Sequence, residues 1–171
     1  MKLLQLPYGM GTGFNPGKRC LLGTRIAFID TITKWVNNQD PSSPKVLLLF
    51  GQAGTGKSSI VHEIAHIFNR EKLLTTSYCF VHGQPSSRES YRFFTTLASD
   101  LCNKYPAFKI SLGNIISNNR ALVNAQDYTT LFESLLINPL SNVRFVDPMV
   151  IVMDALDESE DVSKKVHVLM A

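Results

Sequence analysis

The sequence is poor in the features that define several common protein classes. It has three cysteines, an odd number at wide spacing (Cys20, Cys79 and Cys102), which fits neither a disulfide framework nor a zinc finger. No apolar run reaches the roughly 18 residues that span a bilayer, and the apolar start of the chain is too short for a signal peptide. The net charge is only +3, without a basic run, so nucleic-acid binding is not indicated. We therefore expect a single cytoplasmic domain, in a reducing compartment, that binds neither nucleic acid nor membrane.

What the sequence does contain is a complete phosphate-loop pattern. Residues 46–50 form a short apolar run that predicts a buried strand. The run leads directly into GQAGTGKS at residues 51–58, which matches G-x-x-x-x-G-K-[ST]. A two-faced helix pattern over 57–70 follows. Strand, loop and helix in this order are the context that a phosphate loop requires.

Each fixed position in this loop has a physical reason. Glycines at 51, 54 and 56 allow positive φ and leave room for backbone N–H groups to converge on a phosphate. The dipole of the following helix adds to the attraction. Lys57 is expected to reach the β- and γ-phosphates, and Ser58 to place its hydroxyl on Mg²⁺. The predicted nucleotide-binding residues are Gly51, Gln52, Ala53, Gly54, Thr55, Gly56, Lys57, Ser58 and Ser59. The alternative is a glycine-rich turn without a ligand.

A second motif follows a later apolar run. Residues 149–153 predict a buried strand that ends at Asp154. In an open α/β sheet, ligands bind at the carboxyl ends of the strands. We expect the Asp154 carboxylate to hold Mg²⁺ through water, opposite Ser58. Asp157 or Glu158 is the candidate to orient or deprotonate an attacking water, although three nearby carboxylates are also typical of a solvated turn.

The remaining elements are predicted from periodicity. Residues 1–20 are rich in Gly and Pro and predict an extended lead-in. A helix should follow Arg25, and residues 75–81 should form a second strand. Further helices are predicted after a capping box at Ser86 and Glu89, over 108–116, and after an Asp127 cap, the last ending before Pro139.

Residues 62–66 read His-Glu-Ile-Ala-His and match the zinc-protease motif H-E-x-x-H. Both histidines would lie on one helix face, as zinc requires. That face is the polar side of the helix, and no third ligand stands at a usable spacing. The interpretation favoured by the sequence is that His62 and His66 face solvent, away from the nucleotide.

Together these motifs resemble the NACHT domain of fungal proteins, a STAND-type P-loop NTPase of the NOD-like receptor class. The resemblance rests on Leu6-Pro7, Cys20-Leu21-Leu22-Gly23-Thr24-Arg25, Trp35, the phosphate loop, Thr96-Leu97-Ala98, Pro139-Leu140 and Val150-Ile151-Val152-Met153-Asp154-Ala155-Leu156-Asp157-Glu158. It covers about residues 6 to 160. The chain departs from the family at His82-Gly83 and at Ser159, neither of which touches the phosphate chemistry.

The resemblance implies a three-layer α/β/α P-loop NTPase fold with a mainly parallel sheet, with residues 21–171 forming the nucleotide-binding domain. It implies ATP (or GTP) with Mg²⁺, slow hydrolysis, a signalling switch, and a homo-oligomer in the full-length parent. Gly23, Thr24 and Arg25 would help to enclose the base. Relatives place a fourth strand between the phosphate-loop strand and the Asp154 strand. Only three strands are readable here, so we expect an incomplete sheet, truncated after the Asp154 motif, with exposed strand edges.

Other functions remain open from the sequence. The same loop serves freely hydrolysing ATPases and small-molecule kinases, and a nucleotide-free interaction fragment is a further alternative. A translation-type GTPase would need N-K-x-D, whereas the nearest string, Asn103-Lys104-Tyr105-Pro106, lacks the Asp. The preferred function is therefore an ATP-binding switch module with slow or absent hydrolysis.

Overall fold

The computed structural model describes residues 6–81, 90–145 and 148–159. In chain order the main elements are α1 (Ile26–Val36), α2 (Lys57–Arg70), β1 (Leu74–Cys79), α3 (Ser90–Lys104), α4 (Pro106–Asn118), α5 (Tyr128–Leu131) and β2 (Val150–Asp154). Short 3-10 turns occupy Pro16–Lys18, Arg120–Asn124 and Leu156–Glu158. This is a mixed α/β architecture, as the sequence predicts.

The sheet formed by the described residues has two strands, β1 and β2, which pair in parallel. The register places Leu74 opposite Val150 at one end and Cys79 opposite Asp154 at the other. Parallel pairing brings both carboxyl ends to the same edge. The residues that follow the two strands are therefore held near one another, whatever their separation in sequence.

Side chains alternate between the two faces along a strand. Both faces of this sheet carry apolar residues, and helices cover both of them. On one face, Val150 and Val152 pack with residues of α1 and α2, including Ile32 and Phe68. On the other face the partners are α3 and α4, and the buried residues include Tyr78, Phe80, Phe93, Phe94, Leu97, Leu101, Phe108 and Leu112. The larger core thus lies on the α3 side, and α2 lies on the face that carries Cys79 and Asp154.

The predicted strand at residues 46–50 does not form, and this expectation is wrong. Leu48 and Phe50 are 59% and 87% exposed, and Leu49 alone of the five residues packs against the smaller core cluster. A strand needs a hydrogen-bonded neighbour to satisfy its backbone. Within the described residues the sheet consists of β1 and β2, and 46–50 forms a ladder with neither of them.

Other elements follow the sequence closely. The helix predicted over 57–70 is found at Lys57–Arg70, and the side chain of Asp127 accepts the N–H of Thr130, as a cap should. The capping box at Ser86 and Glu89 lies outside the described residues. The helix after Asp127 was expected to end before Pro139, which is wrong. It widens into a π-helical turn over Phe132–Ile137 and continues through Asn138–Leu140, which accommodates the proline ring.

The lead-in is held against the domain from residue 6 onward. The N–H of Cys79 donates to the carbonyl of Thr12 at 2.7 Å, and the N–H of Phe14 donates to Oγ of Ser77 at 2.8 Å. These two bonds hold residues 12–14 of the lead-in beside the end of β1. In the described ranges, no helix has both the length and the apolar content that crossing a membrane would require.

Candidate functional site

The phosphate-loop segment is an exposed turn that enters α2. Gly54 and Gly56 have φ of 78° and 86°, in the left-handed region that favours glycine. A Cβ atom at Gly54 would meet nothing within 4 Å, so the backbone angle rather than space requires glycine there. Gly51 is not among the positive-φ residues, so the backbone freedom that glycine allows is not used at that position. Gln52 and Ala53 lie in the same exposed turn.

The ammonium of Lys57 folds back over this turn. Its Nζ donates to the carbonyl oxygens of Gly51 at 2.8 Å and Gln52 at 2.9 Å. Thr55 closes the turn through its own bond from Oγ1 to the carbonyl of Gln52, at 2.9 Å. The positive charge is thus held at the loop by neutral carbonyl dipoles, which an anion of higher charge density can replace.

The amino end of α2 is free of side-chain capping. Gly56 is the N-cap and provides no side-chain acceptor. The first N–H groups of a helix have no partner within the helix, so those of Lys57, Ser58 and Ser59 point outward from its start. With the helix dipole, such a terminus attracts anions.

The structure brings the two predicted metal ligands together. Oγ of Ser58 donates to Oδ1 of Asp154 at 3.2 Å. The same carboxylate oxygen accepts the N–H of Ala155 at 3.0 Å, and Ala155 has a left-handed φ of 54°. The strained turn after β2 therefore aims the carboxylate of Asp154 toward the start of α2.

Of the three residues expected near the base, Arg25 contacts the phosphate-loop segment directly. Nη2 of Arg25 donates to the carbonyl of Thr55 at 2.9 Å. Arg25 is the N-cap of α1 with a φ of 58°, directly after a turn in which Gly23 has a φ of 79° and Oγ1 of Thr24 donates to Leu21. The arginine joins the start of α1 to the phosphate-loop segment.

Asp157 and Glu158 lie in the 3-10 turn after β2. Asp157 is exposed and Glu158 is half-buried. They follow Asp154 by three and four residues, so the loop from β2 presents three carboxylates near the end of the sheet.

The solvent-facing interpretation of the histidines is wrong for His62. This residue is only 3% exposed, and its Nδ1 accepts the N–H of Asn15 at 3.2 Å. It lies one helical turn after Ser58, on the side of α2 that packs against the sheet, whereas the ring of His66 packs edge-on against Phe14. Burial lowers the pKa of His62, against an opposite influence of Asp154.

Cys79 is a residue that sequence reasoning did not place at the site. Its ligand atom, with those of His62 and Asp154, forms a group in which all three atoms lie within 4.8 Å of one another. Burial, with a further contribution from Asp154, raises the pKa of the Cys79 thiol to about 11. Its position follows from the register, in which Cys79 and Asp154 are partners at one edge of the sheet, and no local sequence pattern signals that register.

The fold and the site define a mixed α/β protein with a small parallel sheet and a glycine-rich turn at its carboxyl edge. The chain belongs to the family described as Nephrocystin 3, N-terminal, whose sequence profile matches residues 23–171. No significant match was found among curated proteins or among solved structures. The family match covers the phosphate-loop segment and the Asp154 strand together.

Proposed function

We propose that this chain is a nucleoside triphosphate-binding module, preferring ATP with Mg²⁺, that acts as a signalling switch of the NACHT type with slow or absent hydrolysis. The proposal includes a P-loop NTPase fold, a cytoplasmic location and assembly as a homo-oligomer. Four features of the described residues support this proposal. They are the loop, the uncapped helix end, the position of Lys57 and the carboxylate of Asp154.

The observation that carries the proposal is the contact between Ser58 and Asp154 at 3.2 Å. One hydroxyl and one carboxylate from opposite ends of the pattern meet at the point where the uncapped end of α2 faces outward. Oxygen ligands of this kind suit Mg²⁺, which also takes oxygens from the phosphates and from water. The pair would hold the ion, and the ion would offset the phosphate charge.

The loop contributes the anion-binding part. Left-handed Gly54 and Gly56 let the turn curve around a phosphate. Lys57 would exchange the carbonyls of Gly51 and Gln52 for phosphate oxygens, a stronger partner for an ammonium. Arg25, already bonded to the loop at Thr55, would couple the start of α1 to an occupied site, which is the kind of coupling that a switch needs.

Slow hydrolysis is proposed because Asp157 and Glu158 are weak candidates for orienting or deprotonating the attacking water. Glu158 and Asp157 stand in the 3-10 turn after β2, where three nearby carboxylates are also typical of a solvated turn. In this proposal either carboxylate orients water. The proposal assigns no residue to stabilise the charge that develops on the transferred phosphoryl group. An actively hydrolysing ATPase remains the less favoured variant of the same function.

A second candidate function is a nucleotide-free interaction fragment, and two specific observations favour it. Lys57 is already bonded within its own loop. Residues 46–50, which should support the loop from below, are largely exposed. A loop that lacks a strand beneath it is less preorganised, and each ordering step on binding lowers affinity.

Calorimetry distinguishes the two functions. The 171-residue chain is titrated with ATP, ADP and GTP, each with Mg²⁺ and each with EDTA. We expect saturable binding of ATP that weakens when Mg²⁺ is removed. Binding of GTP at equal affinity would remove the preference for adenine. The absence of heat with all three nucleotides, in a chain shown to be folded by circular dichroism, would refute the proposal in favour of the interaction fragment.

A further inference from the structure

His62, Cys79 and Asp154 form a compact group beneath the proposed nucleotide site. They come from α2, from the end of β1 and from the end of β2. Their ligand atoms all lie within 4.8 Å of one another, the histidine is buried, and the other two residues are half-buried. No other such group of three is found in the part of the chain that the structure describes.

The group is held by regular structure rather than by flexible loops. Cys79 and Asp154 are register partners in the parallel pair, so their side chains leave the sheet on the same face. His62 lies on α2, which packs against that face through Ile60, Ile64 and Phe68. A site built on helices and strands keeps its geometry better than one on loops.

The ligand types decide which ion such a group suits. Imidazole nitrogen and thiolate sulfur are ligands of zinc and of similar transition metals, whereas Mg²⁺ prefers oxygen alone. Bonds of about 2.0–2.3 Å to one tetrahedral ion separate its ligand atoms by roughly 3.3–3.8 Å. The three ligand atoms, which lie within 4.8 Å of one another, therefore need to approach by at most about 1.5 Å to hold one ion. A thiolate and a carboxylate also balance the two charges of the ion.

We propose that His62, Cys79 and Asp154 bind Zn²⁺, and that this site antagonises the binding of Mg²⁺ because both ions need the carboxylate of Asp154. Ser58 donates to that carboxylate, and the ligand atoms of Cys79 and of His62, one helical turn after Ser58 on α2, lie within 4.8 Å of it. The antagonism rests on the proposed Mg²⁺ role of Asp154, whereas the Zn²⁺ site itself does not.

Cys79 binds as a thiolate, so its thiol proton passes to solvent when the ion enters. The neutral ring of His62 keeps one proton. Its Nδ1 now accepts the N–H of Asn15, so a cation at Nδ1 displaces that N–H, and a cation at Nε2 moves the ring proton to Nδ1. Either arrangement breaks the bond to Asn15 and frees that point of the lead-in from α2.

This site differs from the H-E-x-x-H pattern that the sequence contains. His66, the second histidine of that pattern, is not in the group and packs against the ring of Phe14. A zinc protease would need both histidines on one ion, with a glutamate beside it. The ligands inferred here use one histidine of the pattern and two residues from the sheet, so the inference assigns no protease activity.

The first test is a cobalt titration of the reduced, metal-free chain without any nucleotide. Co²⁺ substitutes for Zn²⁺ and gives a near-ultraviolet thiolate charge-transfer band. We expect the band to saturate at about one Co²⁺ per chain and to be lost in Cys79→Ser. Loss of a direct ligand in His62→Gln should weaken binding by at least about tenfold, since even outer contacts of a metal site matter that much. Zn²⁺ should displace Co²⁺ and abolish the band.

The matched controls are Cys102→Ser and Cys20→Ser, which remove the two thiols outside the group. Both should keep the wild-type band. No band in the wild-type chain, or a band that survives Cys79→Ser, would overturn the site. Circular dichroism of each variant distinguishes a lost ligand from a lost fold, and the near-isosteric Cys79→Ser keeps the test usable if His62→Gln does not fold.

A second test addresses the antagonism. In a chain that binds ATP, added Zn²⁺ should reduce the gain in affinity that Mg²⁺ provides, and Cys79→Ser should resist this loss. An unchanged Mg²⁺ effect at saturating Zn²⁺ would overturn the antagonism. Failure of ATP to bind would refute the proposed function alone, because the cobalt titration contains no nucleotide.

Discussion

Ser58 donates a hydrogen bond of 3.2 Å to Oδ1 of Asp154, although 96 positions of sequence separate the two residues. The bond joins the first turn of α2 to the end of β2. It exists because α2 packs against the face of the sheet on which Asp154 emerges.

Replacing Lys57 with alanine should weaken ATP binding. A charge-assisted hydrogen bond contributes roughly 1.5–3 kcal/mol, which corresponds to roughly tenfold to over a hundredfold in affinity. Calorimetry measures the loss. Lys34→Ala is the control, because it removes the same charge from an exposed ion pair with Asp30 on α1. Equal ATP affinity in Lys57→Ala and the wild type would contradict the assigned role.

Asp154→Asn should remove the dependence of ATP binding on Mg²⁺. The asparagine oxygen can still accept from Ser58 and from the N–H of Ala155, so the turn should keep its shape. What is lost is the charge that attracts the ion. The measurement is the ratio of ATP affinities with Mg²⁺ and with EDTA. The ratio should fall close to one, and a ratio equal to that of the wild type would show that the ion is held elsewhere.

Arg25→Asn should loosen the link between α1 and the phosphate-loop segment. Asparagine tolerates the left-handed φ of 58° at this position, so the variant removes the contact to Thr55 without adding backbone strain. Loss of one exposed hydrogen bond, about 0.5–1.5 kcal/mol, should weaken ATP binding by roughly two- to tenfold. Arg120→Asn, at an exposed position in a distant 3-10 turn, is the control. A similar loss in both variants would point to net charge instead.

The carboxylate of Asp100 gives a prediction about stability and pH. Tyr8 donates to one of its oxygens at 2.9 Å, and Thr76 donates to the other. Burial nevertheless raises the pKa of Asp100 above the usual 3.8, while both hydrogen bonds act in the opposite direction. A raised folded-state pKa means that the folded chain binds the proton more tightly than the unfolded chain.

The resulting stabilisation is fully present below pH 3.8 and is lost as pH rises through the folded-state pKa. Asp100→Asn does not titrate, so its stability relative to the wild type should increase as pH rises from about 4 to 7. Urea unfolding across this range provides the measurement. Asp30→Asn, which makes the same change on the exposed surface of α1, is the comparison variant. A constant difference between Asp100→Asn and the wild type would refute the direction of the shift.

The exposed apolar segment 46–50 predicts self-association. Leu48 is 59% exposed and belongs to a run with high strand propensity that lacks a partner strand. Leu48→Lys should reduce self-association in sedimentation velocity while changing the free energy of unfolding by less than about 0.5 kcal/mol. Leu22→Lys, at an exposed position outside the segment, is the matched control. A monomeric wild-type chain at all concentrations would argue against the prediction.

Much of the fold could be predicted because local patterns specify it. The helix at Lys57–Arg70 follows from an apolar face at 3.6-residue spacing, and the Asp127 cap follows from its side-chain oxygen. The prediction of a strand at 46–50 was wrong because an apolar pattern does not show whether another strand pairs with the segment. The prediction for His62 was wrong for a related reason. A polar residue opposite the apolar stripe was expected to face solvent, but His62 is buried next to the ends of the two strands.

The local sequence is enough to specify the glycine-rich turn, the lysine and serine after it, and the aspartate at the end of a later apolar run. These depend on short spacings and on backbone freedom, which are local properties. The contacts of Ser58 with Asp154 and of Arg25 with Thr55, and the grouping of His62 and Cys79 with the same carboxylate, exist only in the folded chain. Those relationships follow from parallel strand register and from the face on which α2 packs, and neither is encoded at any one position of the chain.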